Sequence, residues 1–138
     1  MKKVLFVCTG NTCRSCMAEG VFKDVLKKRP ELSREYEVAS AGIAAFDGDA
    51  ASLNAVKVLM DEWGIDISSH RARILTKEDV EEAYLILTMT RGHKKAVVSM
   101  YPGAEAKVFT LREFVSDTGA AKEYGEYNYA LDIPDPYG

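Results

Sequence analysis

The architecture of this chain is indicated by a stretch near its N-terminus, which reads VLFVCTGNTCRS from Val4 to Ser15. The opening residues of the stretch are apolar and lead directly into a turn, a pattern typical of a buried parallel strand. Beyond Arg14 the apolar residues recur at helical spacing, at Met17, Val21, Phe22, Val25 and Leu26. The loop between this strand and this helix directs its backbone N–H groups, and the positive end of the helix dipole, toward one point. We therefore predict an anion-binding loop at the end of the first strand.

Cys8 opens that loop and Arg14 lies six positions after it. Backbone amides and a guanidinium stabilise negative charge, so a thiol held there is expected to be a thiolate at neutral pH. Cys8 is then placed to attack a phosphorus atom, while Arg14 holds two phosphoryl oxygens. The spacing alone is common by chance. It becomes informative because a strand precedes it, a helix follows it, and the loop also contains Gly10 and Ser15. We predict that Gly10 permits close approach and unusual dihedral angles, and that Ser15 either caps the helix or donates to the thiolate.

Composition limits the classes of protein to which the chain can belong. Its 138 residues, 47% of them hydrophobic, suit one domain with one core. No stretch approaches the roughly 20 apolar residues of a membrane span, and the N-terminus has no signal-peptide pattern. The net charge of −3 argues against a nucleic-acid partner. Three cysteines crowded near the N-terminus favour a reducing cytoplasm over a disulfide scaffold. The two histidines form no ligand-spaced cluster, so neither a metal nor another cofactor is expected.

Strands and helices alternate along most of the chain. The predicted strands cover residues 4–8, 36–40, 84–89 and 107–109. The predicted helices cover residues 15–28, 49–63 and 92–101, with a shorter helix opened by a capping box of Thr76 and Asp79. This alternation predicts an α/β fold with a parallel sheet and helices on both of its faces. From about residue 116 regular structure is expected to end in a long functional loop.

Two finer expectations concern which side chains face the core. The helix predicted over residues 49–63 carries a set of apolar residues at helical spacing, which we expect to form one buried face that includes Trp63. That set is Leu53, Val56, Leu59, Met60 and Trp63. His93 is expected to face solvent, and His70 to be a satisfied core histidine.

The loop from Cys8 to Ser15 resembles the phosphate-binding loop of the low-molecular-weight protein tyrosine phosphatases. Far along the chain, Asp135-Pro136-Tyr137 resembles the segment that carries the general acid of this family. Further matches follow the family's order, so the resemblance covers essentially the whole chain; they are Ser40-Ala41-Gly42, residues 64–73 and residues 86–89. It implies a three-layer, phosphatase I-like domain with a four-stranded parallel sheet in the order 2-1-3-4. The Cys8 loop would then lie at the topological switch point. We expect a single domain over residues 1–138 that lacks the family's further C-terminal helix.

The resemblance also implies a mechanism that needs no metal. Cys8 attacks phosphorus, Arg14 holds the phosphoryl oxygens, and Asp135 protonates the leaving group before it activates water against the phosphocysteine. Asp132 is the competing carboxylate, and Pro136 with Tyr137 favours Asp135. Inorganic phosphate or vanadate is expected to bind the same loop. Its phosphate-binding residues would be Thr9, Gly10, Asn11, Thr12, Cys13, Arg14 and Ser15.

Other residues are expected to support the loop or to control its oxidation. Asn11 should adopt a left-handed conformation, which asparagine tolerates. In the family its side chain holds the loop open together with Ser15, Ser40 and the histidine that corresponds to His70. Cys13 stands where relatives carry a partner for a reversible protective disulfide, although a packed structural thiol is an equal alternative. Cys16, where most relatives have proline, is a second candidate partner.

Thr12 is the residue that indicates which phosphorylated side chain is the substrate. Tyrosine phosphatases of animals usually carry isoleucine at this position, whereas the bacterial protein arginine phosphatases carry threonine. A smaller polar side chain suits a guanidinium leaving group, and this favours phosphorylated arginine in proteins as the substrate. Tyr137 resembles the tyrosine-specific members instead, so protein tyrosine phosphatase activity by the same mechanism is the alternative.

Functions of other classes explain fewer of these residues. The three cysteines have the spacing of an iron–sulfur ligand run, but the chain has no fourth cysteine. A redox dithiol at Cys13 and Cys16 leaves Arg14 and Asp135 unexplained. An arsenate reductase needs shuttle cysteines, and none follows Cys16. A non-catalytic phosphopeptide-binding module would not need both Cys8 and Asp135.

Overall fold

A four-stranded parallel sheet forms the centre of the molecule, in the order β2-β1-β3-β4. The computed structural model describes residues 1–117. The strands are β1 (Lys2–Cys8), β2 (Tyr36–Gly42), β3 (Leu85–Thr88) and β4 (Val108–Thr110). Both the parallel arrangement and the strand order confirm the predicted fold class, and each strand lies within two residues of its predicted bounds.

Six helices and one 3-10 turn connect the strands in the described part of the chain. The helices are α1 (Arg14–Lys28), α2 (Pro30–Ser33), α3 (Leu53–Trp63), α4 (Lys77–Glu82), α5 (Arg91–Met100) and α6 (Leu111–Asp117), and the 3-10 helix covers Pro102–Lys107. The short helices α2 and α6 were not predicted. The Thr76–Asp79 capping box is confirmed at the start of α4. Gly64 ends α3 in the left-handed conformation, with φ of 67°. No helix within residues 1–117 is long and apolar enough to cross a membrane.

The core confirms three layers, because alternate residues of β1 face opposite sides of the sheet. Leu5 and Val7 pack in one cluster with Val97 of α5. On the other face, Phe6 contacts Phe22 of α1 edge-on, with ring centroids 6.0 Å apart. Since both faces of β1 are covered, its continuous apolar run is the pattern that a central parallel strand requires.

The predicted buried face of α3 is confirmed only in part, because Leu59 is buried and Val56 packs against the same cluster, whereas Leu53, Met60 and Trp63 are exposed. The helix begins at Leu53 rather than near Asp49, because the Ser52 side chain caps it by accepting from the Ala55 N–H at 3.1 Å. Ala55 and Leu59, one turn apart, form the buried stripe that packs against α1. Leu53 is 88% exposed and Trp63 is 62% exposed, because the stripe that contains Leu53 is rotated away from α1 and Trp63 lies at the outer end of the helix. Trp63 is therefore not a core residue.

Candidate active site

The site lies at the carboxyl end of β1, which pairs with β2 on one side and with β3 on the other. β1 ends at Cys8 and α1 begins at Arg14, so residues 9–13 form the loop. Cys8 is buried, and its Sγ accepts a hydrogen bond from the Asn11 N–H at 3.3 Å. The Ser15 Oγ lies 2.9 Å from the same sulfur. Arg14 is half-buried at the first position of α1.

Asn11 is the most constrained residue of the loop. It has φ of 57°, which confirms the predicted left-handed conformation, and its side chain is completely buried. Its Nδ2 donates to both Ser15 Oγ and Ser40 Oγ at 2.8 Å. Its Oδ1 accepts from the Arg73 N–H at 3.0 Å. A left-handed conformation is costly for a residue other than glycine, and these hydrogen bonds offset that cost.

The direction of these hydrogen bonds determines what Ser15 does. The Asn11 amide can only donate through Nδ2, so Ser15 Oγ accepts from it. The single hydroxyl proton of Ser15 is then left to point toward the Cys8 sulfur, 2.9 Å away. Ser15 forms no side-chain cap of α1, whose N-cap residue is Cys13. Of the two predicted roles of Ser15, the geometry supports the hydrogen bond to Cys8, which stabilises a thiolate.

Further polar groups, His70, Ser40 and Glu19, surround Asn11 on the β2 side. The His70 Nε2–H donates to the Asn11 carbonyl at 2.7 Å. Ser40 Oγ donates a short hydrogen bond to Glu19 of α1, and Glu19 also accepts from Lys23 Nζ at 2.6 Å. His70 and Ser40 thus both contact Asn11, as expected, although His70 is half-buried rather than a fully buried core residue. Glu19 was missed, and its signal is the four-residue spacing from Ser15, which places both side chains on one face of α1.

Arg73 is a clamp between the loop and the neighbouring strand. Its Nη1 donates to the Ser40 carbonyl at 2.9 Å, and its Nη2 lies 2.5 Å from Asp79 Oδ1. Burial raises the pKa of the Asp79 carboxyl, but the hydrogen bonds from Arg73 and Thr76 lower this pKa by more than burial raises it. The pKa therefore lies below its ordinary value. Arg73 is therefore engaged by the protein itself rather than simply solvated.

Close approach of one backbone segment to another occurs at Gly42, and the unusual dihedral angle predicted for Gly10 is not observed. A Cβ added at Gly42 would lie 2.5 Å from the Thr9 carbonyl oxygen and 2.9 Å from the Asn11 nitrogen. A Cβ added at Gly10 would meet Thr12 Oγ1 at an ordinary 3.7 Å, and Gly10 does not have a positive φ. The unusual dihedral angle of the loop belongs to Asn11, so Gly10 does not need conformational freedom for the loop to form.

His93 is not solvent-facing, which corrects the prediction. It is 8% exposed at the start of α5, and its Nε2 lies 2.8 Å from Thr9 Oγ1. Its backbone N–H donates to Thr90 Oγ1 at 3.1 Å, which caps the helix. The neighbouring residues Lys94 and Lys95 suggest a solvated helix face, and only the pairing of β3 with β1 brings His93 to the loop.

This arrangement is suited to nucleophilic attack on a bound oxyanion. A buried sulfur receives hydrogen bonds from a backbone amide and a serine, at the N-terminal end of the helix α1. The helix dipole and the loop amides favour negative charge at that point. Within residues 1–117, no three His, Cys, Asp or Glu side chains are grouped as metal ligands would be.

The comparisons with known proteins agree with this chemistry. The family described as low molecular weight phosphotyrosine protein phosphatase matches residues 3–138. The chain belongs to this family. A protein-arginine-phosphatase of Geobacillus stearothermophilus is 42% identical over 136 residues, which cover 99% of this chain and 79% of that protein. The low molecular weight protein-tyrosine-phosphatase PtpB of Staphylococcus epidermidis is 38% identical over 99% of this chain and 81% of its own length.

A solved structure extends the likeness to three dimensions. The low molecular weight protein tyrosine phosphatase of T. tengcongensis superposes with a TM-score of 0.82 at 47% identity, covering 100% of this chain and 84% of that one. Fold, family and relatives together make this chain a cysteine-dependent protein phosphatase.

The three cysteines of this phosphatase are free thiols with different surroundings. Cys13 is half-buried, whereas Cys16 is buried and its Sγ donates to the Cys13 carbonyl at 3.3 Å. Burial, together with the negative groups nearby, raises the pKa of the Cys16 thiol to about 12. Cys16 is therefore a thiol at neutral pH.

A cavity of about 840 Å³ lies on the α1 side of the polar groups that surround Asn11. Glu19, Ser40, His70 and Arg73 are among its lining residues, as is Cys16. Among the described residues, Cys8, Thr9 and Gly10 do not line it, so this cavity is distinct from the phosphate loop. The expected general acid Asp135, its competitor Asp132 and the specificity residue Tyr137 lie outside the described residues.

Proposed function

We propose that this phosphatase hydrolyses phosphorylated arginine side chains of proteins through a phosphocysteine intermediate on Cys8. The observation that carries the nucleophile assignment is the buried Cys8 sulfur, which is hydrogen-bonded by the Asn11 N–H and faces the Ser15 hydroxyl. Support for arginine comes from the relative named protein-arginine-phosphatase, which is 42% identical over 99% of this chain, and from Thr12 in the loop. Inorganic phosphate and vanadate would occupy the same loop, from Thr9 to Ser15.

The reaction proceeds by two displacements at phosphorus. In the first, the Cys8 sulfur forms a bond to phosphorus, the bond from phosphorus to the arginine nitrogen breaks, and Asp135 gives that nitrogen a proton. In the second, the Asp135 carboxylate takes a proton from water, whose oxygen bonds to phosphorus as the sulfur–phosphorus bond breaks. Arg14 and the loop amides stabilise the phosphoryl charge in both steps. Ser15 stabilises the leaving thiolate in the second step.

Thr12 supplies the leaving-group preference. It is half-buried in the loop wall, and its carbonyl accepts from the Ser52 N–H at 2.8 Å, which ties the wall to the start of α3. A threonine there leaves room for a guanidinium and offers it a hydroxyl. The carbonyl contact keeps this wall rigid, and a rigid wall discriminates between leaving groups by shape.

Protein tyrosine phosphatase activity is the second candidate. It is favoured by the relatives named as tyrosine phosphatases, including the one 38% identical over 99% of this chain, and by Tyr137. The loop chemistry is the same for both substrates, because the phosphoryl group is identical.

The experiment that decides between them is steady-state turnover of two peptides of matched sequence, one with phosphoarginine and one with phosphotyrosine. We expect a higher kcat/KM for the phosphoarginine peptide. Asp135→Asn should slow both substrates, because either leaving group needs a proton. Higher kcat/KM for the phosphotyrosine peptide would assign the enzyme to tyrosine, and binding without turnover of either would leave only a phosphopeptide-binding module.

We also propose Cys13 as the partner of Cys8 in a reversible protective disulfide. A cysteine resolves an oxidised neighbour as a thiolate, and the high pKa of Cys16 disfavours that form. Cys13 is half-buried and lies in the same loop as Cys8. This chemistry and a cytoplasmic location are mutually consistent, since a reducing compartment restores the thiols.

A further inference from the structure

The phosphate loop contacts a histidine on each of its two sides. His70 reaches Asn11 from the segment that lies beside β2, and His93 reaches Thr9 from α5, which follows β3. The His93 Nε2 lies 2.8 Å from Thr9 Oγ1. Thr9 itself is exposed and follows the nucleophile directly in the chain. The contact therefore joins a buried group to the exposed rim of the loop.

His93 is a rigid anchor because the backbone that carries it is tied to the sheet. The Met89 N–H donates to the Val7 carbonyl at 3.0 Å, just before Cys8. Thr88 Oγ1 donates to the Thr90 carbonyl at 3.0 Å, and Thr90 caps α5 at the His93 N–H. The imidazole consequently has a fixed position relative to the end of β1, so a hydrogen bond to it fixes the rotamer of Thr9.

We propose that His93 is a positioning residue of this phosphatase: it holds the Thr9 hydroxyl and thereby the first backbone N–H groups of the phosphate loop. The inference rests on the proposed role of that loop in binding the phosphoryl group. Thr9 is exposed, so its hydroxyl contributes little to packing and the contact acts on the geometry of the loop instead. Preorganised donors are effective only when they already point at the charge that they stabilise. His93 supplies that preorganisation on the arm of the loop that Asn11 does not control.

A double-mutant cycle on Thr9 and His93 tests this role. The variants are Thr9→Val, His93→Phe and the double variant, with Thr9→Ser and His93→Gln as conservative replacements that keep a hydrogen-bonding group. The measurements are kcat/KM for p-nitrophenyl phosphate, the Kd of inorganic phosphate by calorimetry, and the melting temperature. Lys95→Ala is the matched control, since Lys95 is exposed on the same helix.

We expect each disruptive single variant to lose roughly 3- to 10-fold in kcat/KM and to bind phosphate correspondingly more weakly, the range of one lost hydrogen bond. The kcat/KM of the double variant should be no lower than that of the less active single variant, because both substitutions remove the same interaction. Thr9→Ser and His93→Gln should remain within about twofold of the unaltered enzyme, and Thr9→Val should keep its melting temperature.

Additive losses in the double variant would overturn the inference, as would an unaltered kcat/KM in Thr9→Val. If His93→Phe does not fold, the comparison of Thr9→Val with Thr9→Ser decides alone, because equal activity of those two variants removes any role of the hydroxyl contact. Failure of the proposed function looks different: the unaltered protein would then neither bind phosphate nor turn over the aryl phosphate. If the unaltered protein turns over normally but the losses of the two single variants add, the proposed function stands and only the positioning role of His93 is disproved.

Discussion

The two arms of the phosphate loop, which we call the Asn11 arm and the Thr9 arm, are held in contrasting ways. Asn11 is completely buried, and its side chain contacts Ser15, Ser40 and the Arg73 backbone. Thr9 is exposed at the rim, and its side chain contacts His93. A catalytic loop has to hold its nucleophile rigidly and still admit a substrate. The buried arm serves the first need, and the exposed arm serves the second.

Changes on the two arms should affect stability and activity differently. Changes on the Asn11 arm leave buried polar groups without partners, which costs free energy of unfolding as well as rate. The Thr9 side chain lies at the exposed rim, so changing it should alter the rate more than the stability.

Asn11→Ala should have the largest effect. It removes the partner of two buried hydroxyls, Ser15 and Ser40, and of the Arg73 N–H, and alanine tolerates the left-handed conformation less well than asparagine, so we expect the free energy of unfolding to fall by about 3–5 kcal/mol. Misplacement of the nucleophile should lower kcat/KM by on the order of 100-fold or more. Urea unfolding and steady-state kinetics measure the two effects.

Asn11→Gly separates the two causes, because glycine tolerates the left-handed conformation but makes none of the hydrogen bonds. It should be more stable than Asn11→Ala by about 1 kcal/mol and equally impaired in rate. Wild-type activity in Asn11→Gly would contradict the role assigned to the Asn11 side chain.

Gly42→Ala should disturb both arms at once. The added methyl group would lie under 3 Å from the Thr9 carbonyl and from the Asn11 nitrogen, and both are backbone atoms. We expect a loss of about 1–3 kcal/mol in the free energy of unfolding, together with lower kcat/KM. Gly10→Ala, where the new methyl group has room, should unfold at the same urea concentration as the unaltered protein.

Gly103→Ala is the control for activity, since nothing lies within 4 Å of its added methyl group. If Gly42→Ala were as stable and as active as Gly103→Ala, the close packing of β2 against the loop would have no functional importance.

Thr12→Ile tests the wall of the loop and leaves both arms intact. The larger apolar side chain fills the space proposed for a guanidinium and offers an aromatic ring a surface. A change of this size in a pocket is worth about 1–3 kcal/mol, so the ratio of kcat/KM for phosphotyrosine over phosphoarginine should rise roughly 10- to 200-fold. Phosphate affinity should stay the same. An unchanged ratio would move specificity to Tyr137 and the residues around it.

Asp79→Asn should have the smallest effect and should depend on pH. The pKa of Asp79 is lower in the folded protein than its ordinary value, so its carboxylate stabilises the fold above about pH 4 and this contribution disappears as the pH falls through the folded pKa. At neutral pH the variant should lose about 1 kcal/mol or less, because Arg73 is half-exposed. Urea unfolding across the acid range should show a shallower pH dependence in Asp79→Asn. Equal slopes would mean that the ion pair contributes nothing.

The fold was largely predictable because its signals are local. The apolar run before Cys8, the capping box at Thr76 and the alternation of strands and helices each follow from neighbouring residues. Asn11 was predictable too, since few residues other than glycine accept its dihedral angle. The order of the strands required the resemblance to a known family, since local patterns do not specify which strands pair.

The errors concern contacts made between distant parts of the chain. His93 lies between polar neighbours in sequence, and its position against Thr9 arises only when β3 pairs with β1. Trp63 belongs to an apolar set of the right spacing, but α3 packs through only two members of that set, Val56 and Leu59, together with Ala55. Gly10 lies inside the loop, yet the unusual dihedral angle belongs to Asn11, and Gly42 of another strand makes the close contact with the loop backbone. Each of these features is decided by tertiary packing.

The central claim is that Cys8 carries the phosphoryl group, and an acid quench of the working enzyme tests it most directly. The enzyme is mixed with excess phosphoarginine peptide, quenched in acid, digested and analysed by mass spectrometry, with Cys8→Ala treated in the same way. We predict one phosphoryl group on the peptide that contains Cys8 and no turnover by Cys8→Ala. Turnover by Cys8→Ala at near the unaltered rate, or a phosphoryl group on a different residue, would contradict the mechanism.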